Sequence, residues 1–445
     1  MKHSKRLLSI GVAASLLALG LAACSSPGST SSNSGGAASI ASALKKGGTI
    51  TYWAWAPASK DKVAAFEKAY PKVTVKYVNA GSGTDEYTKL TNAIKAGSGA
   101  PDVVQIEDTA MPQFILSKDL VDLTPYGLGA LKSKFGAGAW SSVESAGKVY
   151  GLPEDSGPMA LFYNKRIFDK YKITVPKTWD EFVVDAKALH AADPNEYLTS
   201  DGGDGLFSSS LIWQAGGHPY TVDGTKVSIN LQDAGTKKWT GVWNQLVGGQ
   251  LLSPTPSYTD DWYKQLGNGQ IAALVSGAWM PSLLASAAKD GSGDWRAAPM
   301  PTYDGGAAVS ANYGGSSQAV VTGSKNAALA AGFVKWINSS PTGVKILMNS
   351  GSFPSTVAAL SAPSFQDQTS AYFGGQKINK VLLAASQSVP SGWQYLPFQN
   401  YAQTVFADSV GQAYANHSDL NAGLRAWQAT LVKYGNAQGF TVTSK

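Results

Sequence analysis

Cysteine is almost absent: one residue, Cys24, in a chain of 445. A single thiol can neither close an internal disulfide nor build a thiolate metal site. Histidine is nearly as scarce, with four residues and no cluster at metal-ligand spacing, so no metal centre is expected. The chain has no phosphate-binding glycine loop and no nucleophile elbow, and nothing in it calls for a cofactor. Basic charge is not concentrated either. Of the net +6, Lys2, Lys5 and Arg6 contribute three, leaving +3 scattered without a run or a basic helix face. That pattern argues against a nucleic-acid partner. After residue 23 no apolar run is long enough to span a bilayer. What is plentiful is aromatic, with 13 Trp and 19 Tyr. Rings with an apolar face and a polar tip suit ligands that offer both kinds of surface, as sugars do.

The amino end sets the compartment. Behind the basic start, residues 7–23 are apolar or small and carry no charge. That stretch is short for a spanning helix and ordinary for a secretory signal. It ends in Leu21-Ala22-Ala23-Cys24, which resembles the lipobox of bacterial lipoproteins. The resemblance implies a signal peptide over 1–23, cleavage before Cys24, and a diacylglyceryl group on that thiol. Residues 25–43 are rich in Ser, Gly and Ala and uncharged, a composition that buries little apolar surface. Residues 24–45 therefore read as a lipidated Cys and a flexible tether. The protein is expected to be anchored by lipid to the outer face of the cell membrane without crossing it.

About 400 residues remain, too many for one ordinary core, so two domains are expected. Thr49-Ile50-Thr51-Tyr52-Trp53 reads as a strand. A helix follows, with Val63, Phe66 and Tyr70 on one face, and Pro71 ends it. The strand over residues 73–78, a helix carrying Tyr87, Leu90 and Ile94, and the strand Val103-Val104-Gln105-Ile106 complete a β-α-β-α-β series. That series predicts a parallel sheet flanked by helices. A second α/β region begins near Met159, with Ala160-Leu161-Phe162-Tyr163 as a strand. A helix there is capped by Thr178, with Glu181 three residues on. Trp239, Val242, Trp243 and Leu246 have helical spacing, as do Leu329, Phe333, Trp336 and Ile337. After about residue 342 the pattern is largely helical, and residues 441–445 read as a loose tail.

Six segments in order resemble the extracellular solute-binding protein family 1, the sugar receptors of ABC importers related to maltose-binding protein. They are Thr49 to Trp53, Gly99-Ala100-Pro101-Asp102-Val103, Gly151-Leu152-Pro153 with Tyr163-Asn164-Lys165, Pro176 to Phe182, Gly269 to Ala273 with Gly277-Ala278-Trp279, and Gly314-Gly315 before residues 327–337. Leu274 stands where the family usually has Met. The resemblance implies an α/β, two-lobe periplasmic-binding-protein type II fold, each lobe a mixed sheet flanked by helices, with a hinged cleft between. By position, lobe one would hold 46–154 and 303–340, and lobe two 156–300 and 345–440. Crossovers would lie near 153–157, 299–303 and 341–343. The implied partners are a carbohydrate, delivered by a monomeric receptor, and the membrane permease of an ABC importer.

Ligands of α/β folds sit outside the carboxyl ends of strands, where sugar C–H faces would meet aromatic rings and hydroxyls would meet acceptors. Trp53 and Trp55 end the first strand on one face, with core packing as the competing reading. Glu107 and Asp108 follow the third strand, and in the family an acidic pair there accepts sugar hydroxyls; Asp108 could instead cap a helix. Glu154 and Asp155 lie at the first crossover, where charge-assisted hydrogen bonds would sense closure. Trp213 precedes a loop that in the family contacts ligand, and Trp279 aligns with the family's sugar-stacking aromatic. Asn312, Tyr313 and Gly315 precede the late strand, where glycine lets a ligand approach the backbone. Phe353 and Trp393 complete the candidates as aromatics on Gly- and Pro-flanked loops.

Two rival readings compete with sugar capture. A secreted glycosidase could use Glu154 and Asp155 as acid and base, but adjacent residues are poorly placed for opposite faces of one ring. The same clamp could hold a non-sugar solute such as a polyamine, which acidic loops would tolerate.

Overall fold

The computed structural model describes residues 34–444. The signal peptide, Cys24 and the first residues of the expected tether lie outside the described residues. The main sheet has seven strands: β1 (Gly48–Trp53), β2 (Val73–Val78), β3 (Val103–Glu107), β4 (Gly151–Asn164), β5 (Ala273–Gly277), β6 (Trp295–Ala298) and β7 (Asn312–Val320). Their order is β5-β4-β7-β3-β1-β2, with β6 also paired to β4. β1 runs parallel to both β2 and β3, as the β-α-β-α-β series predicts.

β4 and β7 join the lobes. The first half of β4, up to Pro158, pairs antiparallel with β7, and the second half, from Met159, pairs with β5 and β6. β7 in turn pairs antiparallel with β3 through Ser316 to Val320. One sheet is thus continuous through both lobes, and two neighbouring strands carry the chain across. The ladder between them is interrupted between Asn312 and Gly315. Gly314 and Gly315 there have φ of 78° and 115°, a backbone that a side chain would strain. A Cβ on Gly157 would collide with Tyr313 O.

Lobe one closes over Ile50, Tyr52, Phe66, Leu90, Val104 and Phe333. Lobe two has two clusters, one around Trp179, Phe182, Trp239, Trp243 and Trp427, the other around Phe162, Trp262, Trp295 and Phe373. Each such side chain contributes on the order of 1.5–3 kcal/mol when fully buried. The helix Trp179–Ala192 starts where the sequence puts it: Thr178 and Glu181 form a reciprocal capping box, and Trp179, Phe182, Val183, Ala186 and Leu189 face inward.

Four boundaries differ from expectation. Residues 34–46 are a helix, Ser34–Lys46, where the composition reads as tether. Ile40 and Leu44 pack against the helix Ala327–Ser339 at Gly332, so the segment belongs to lobe one. The expected loose tail instead forms the strand Thr441–Ser444, parallel to Lys226–Ile229, with Val442 buried. The second crossover falls at the bulge near Gly314, not at 299–303, because Ala311 and Tyr313 still pack in lobe two. The third lies beyond 341–343, since the helix Pro341–Asn349 still packs on lobe-one helices Ser59–Ala69 and Ala327–Ser339.

Candidate functional site

Two cavities lie between the lobes, and each is lined from both. The first, of about 440 Å³, takes Trp55, Gln105 and Glu107 from lobe one. It takes Asp204, Tyr258, Trp279 and Tyr313 from lobe two, and Asp155, Gly315 and Ser316 from the strands that join them. The second, of about 390 Å³, takes Asp108 and Ser142 from lobe one and Trp213, Asn312, Trp393 and Tyr395 from lobe two. The cavities share no residue, though chain neighbours line them: Glu107 and Asp108 part company, as do Asn312 and Tyr313. Successive side chains of extended backbone point to opposite faces, so the two cavities flank the joining strands.

In the first cavity the geometry is fixed by hydrogen bonds. β5 ends at Gly277, and Trp279 precedes the helix Met280–Ala287. A Cβ on Gly277 would lie 2.5 Å from Trp279 Nε1. With glycine there, Trp279 Nε1 donates to Tyr313 O at 2.7 Å, which ties the indole to β7. The Trp279 ring lies 5.4 Å from Tyr313 and 6.3 Å from Tyr258, centroid to centroid. Across the cavity, Gln105 Oε1 accepts from the backbone N–H of Trp55 and Ala56, and its Nε2 donates to Ser316 Oγ at 2.9 Å. Asp155 Oδ1 accepts from Ser316 N at 2.8 Å and Ser316 Oγ at 2.7 Å. Glu107 Oε2 accepts from Tyr87 Oη at 3.1 Å.

These carboxyls are crowded and half-buried. Burial pushes Glu107 up to about 7; the Tyr87 hydrogen bond opposes that, while Asp204 and Asp155 add to it. Burial, and then the Glu154 charge, push Asp155 up to about 6 against the Ser316 hydrogen bonds. In the second cavity burial pushes Asp108 up to about 8 although Ser142 Oγ donates to it at 2.9 Å. Trp213 and Trp393 stack there, with centroids 5.2 Å apart and planes at 11°. Gly315 links the two sides: a Cβ on it would sit 2.7 Å from Asp108 Oδ2.

Trp55, Glu107, Asp155, Trp279, Tyr313 and Gly315 therefore meet in one cavity, and Asp108, Trp213, Asn312 and Trp393 in its neighbour. Three candidates line neither. Glu154 is 3% exposed and pairs with buried Lys62 at 2.6 Å, while Gln318 Nε2 donates to it at 2.6 Å. Asp155 takes the cleft face of β4, so its neighbour Glu154 must point into lobe one, where the Lys62 charge needs a partner. Phe353 is buried against Phe365 in the lobe-two core, because the chain enters that lobe there. Trp53 packs half-buried on the flank of lobe one.

Sequence reasoning missed Gln105, Asp204 and Tyr258. Gln105 sits inside the strand Val103-Val104-Gln105-Ile106. Asp204 caps the helix Gly205–Gln214, accepting from Leu206 N at 2.7 Å. Tyr258 stood in a Pro254-Thr255-Pro256 loop beside a helix start, a signal that could have been followed. Among the described residues no group of three or more His, Cys, Asp or Glu is placed to hold a metal ion, and no helix is long and apolar enough to cross a membrane.

A cleft between two lobes joined by strands, with aromatic and acidic walls, defines a solute-binding receptor fold. Residues 47–343 match the bacterial extracellular solute-binding proteins, and the chain belongs to that family. It is similar to the lactose-binding protein of Rhizobium radiobacter, 26% identical over 363 residues that cover 77% of this chain and 83% of the relative. Among solved structures it is similar to an ABC transporter associated binding protein from B. animalis subsp. lactis Bl-04 in complex with β-1,6-galactobiose. That likeness has 43% identity and a TM-score of 0.84, over 89% of this chain and 99% of the other. The galacto-N-biose-/lacto-N-biose I-binding protein of Bifidobacterium longum, in complex with lacto-N-biose, is 28% identical with a TM-score of 0.78, covering 89% and 99%.

Proposed function

We propose that this chain captures a short oligosaccharide outside the cell and delivers it to an ABC importer, without chemistry on the sugar. One observation carries the reading: Trp279, Tyr258 and Trp55 line one cavity together with Glu107, Asp155 and Asp204, and both lobes contribute to it. Aromatic faces take the C–H surface of a pyranose, and carboxylates take its hydroxyls by charge-assisted hydrogen bonds stronger than neutral ones. The similarity to a receptor in complex with β-1,6-galactobiose supports a disaccharide of that kind as first probe. Contacts to the second lobe exist only when the lobes close, so the ligand shifts the hinge at β4 and β7 toward the closed state. The closed form then docks on a membrane permease. The lipobox-like Leu21-Ala22-Ala23-Cys24 supports a diacylglyceryl anchor on Cys24, holding a monomeric receptor at the outer membrane face.

Isothermal titration against β-1,6-galactobiose, lacto-N-biose, lactose, galactose and spermidine tests the reading. Heat with at least one disaccharide and none with spermidine supports it. The crowd of carboxyls favours one other reading, a polyamine, and heat with spermidine alone would establish that in its place. Loss of membrane association on Cys24→Ser, with the protein still secreted, tests the anchor.

A further inference from the structure

Within lobe two lies a further cavity of about 310 Å³, at the small end of the range for ligand pockets, roughly 300–1,000 Å³. It shares Asp204, Tyr258 and Tyr313 with the interlobe cavity that holds Trp279. These three form one hydrogen-bonded wall: Tyr313 Oη donates to Asp204 Oδ2 at 2.7 Å, and the Tyr258 and Tyr313 hydroxyls lie 3.0 Å apart. Asp204 is fixed as the cap of the helix Gly205–Gln214, and Tyr313 is 6% exposed on β7.

Tyr258 is the member borne on a loop. It is 45% exposed, and it lies in the loop between the strand Leu252–Ser253 and the helix Asp260–Asn268. Its φ is 68°, a left-handed conformation that costs a residue with a Cβ and persists only where surroundings hold it. The holding contacts are the hydroxyl pair with Tyr313 and ring contacts with Trp262 and Trp279, at 5.2 and 6.3 Å. Behind this ring, Ser276 lines the cavity with a buried Oγ that has no hydrogen-bond partner, beside apolar Met280 and Phe207. Ser200, Asp201, Asp204 and Ser257 line it as well, and hydroxyls and carboxyls beside apolar side chains are what one more sugar ring needs.

We infer that Tyr258 is a movable partition that sets ligand length: in place it ends the site, and swung outward it admits one further sugar ring toward Ser276. The inference rests on the oligosaccharide reading of the cleft. It is tested by titrating β-1,6-galactobiose and the β-1,6-linked galactotriose into four proteins: wild type, Tyr258→Phe, Tyr258→Ala and Tyr258→Ala/Ser276→Leu. Tyr258→Ala is expected to raise the affinity for trisaccharide relative to disaccharide by about tenfold or more, the equivalent of one added ring contact. Tyr258→Phe keeps the ring but loses the hydroxyl pair, and should move the ratio part of the way. Ser276→Leu fills the inner cavity and should reverse the gain. A ratio that stays within about twofold of wild type in both Tyr258 variants, with disaccharide still bound, overturns the partition alone. If wild type binds neither sugar, the reading of the cleft fails and the partition falls with it.

Discussion

Glu154 and Asp155 face opposite ways because they are successive residues of one extended strand. Asp155 reaches Ser316 in the cleft, whereas Glu154 neutralises Lys62, which is fully buried. Removing one partner of such a pair leaves an uncompensated charge, so Glu154→Leu should lower unfolding stability by about 3–5 kcal/mol. The double variant Lys62→Met/Glu154→Leu should recover most of that loss. Urea unfolding of the three proteins checks this; equal losses in the single and double variants would show that the charge is not what matters. The aromatics divide in the same way. Trp279 is pinned through Nε1 to Tyr313 O and lines the cavity, and Trp53 packs half-buried against lobe one. Trp279→Ala should therefore weaken disaccharide binding by about 2 kcal/mol, roughly thirtyfold in Kd. Trp53→Ala should leave binding near wild type, and a loss equal to that of Trp279→Ala would refute the placement.

At the scale of elements, what the sequence discloses is what local forces decide. The capping box at Thr178 and the inward face from Trp179 to Leu189 depend only on neighbours a turn away, and both are legible. The crossovers are not, because the bulge at Gly314 is set by the pairing of β7 with β4, more than 150 residues earlier in the chain. The split of the candidate site follows from this: alternation sends Glu107 and Asp108 opposite ways, but only the long-range pairing of the sheet puts a cavity on each side. The helix Ser34–Lys46 was masked by Ser and Gly, which are weak helix formers, although Ile40 and Leu44 stand one turn apart. It is held by packing rather than propensity. A variant beginning at Gly47 would uncover the Gly332 face of the helix Ala327–Ser339. Losing the buried Ile40 alone should cost about 1.5–3 kcal/mol. Calorimetry should show a melting temperature lowered by several degrees; an unchanged one would mean that the helix contributes no net stability.

At the scale of the molecule, the cleft carboxyls couple binding to pH. Glu107, Asp155 and Asp108 are held near 7, 6 and 8, above the roughly 4 of an unfolded chain. The folded state therefore binds more protons than the unfolded state between about pH 4 and 8, and stability contributed by these groups falls as pH rises through that window. The ligand-free protein should melt at a higher temperature at pH 5.5 than at pH 8. A hydroxyl that donates to Glu107 or Asp155 favours the charged form, so binding lowers their proton affinity and releases protons near neutrality. Affinity for the disaccharide should then rise from pH 5.5 to 8, the opposite trend to the stability of the empty protein. Titration at pH 7 in two buffers of different ionisation enthalpy reads the proton release directly. Equal heats in both, with an affinity flat across the range, would mean that the ligand leaves these carboxyls untouched and that the aromatic wall alone holds it.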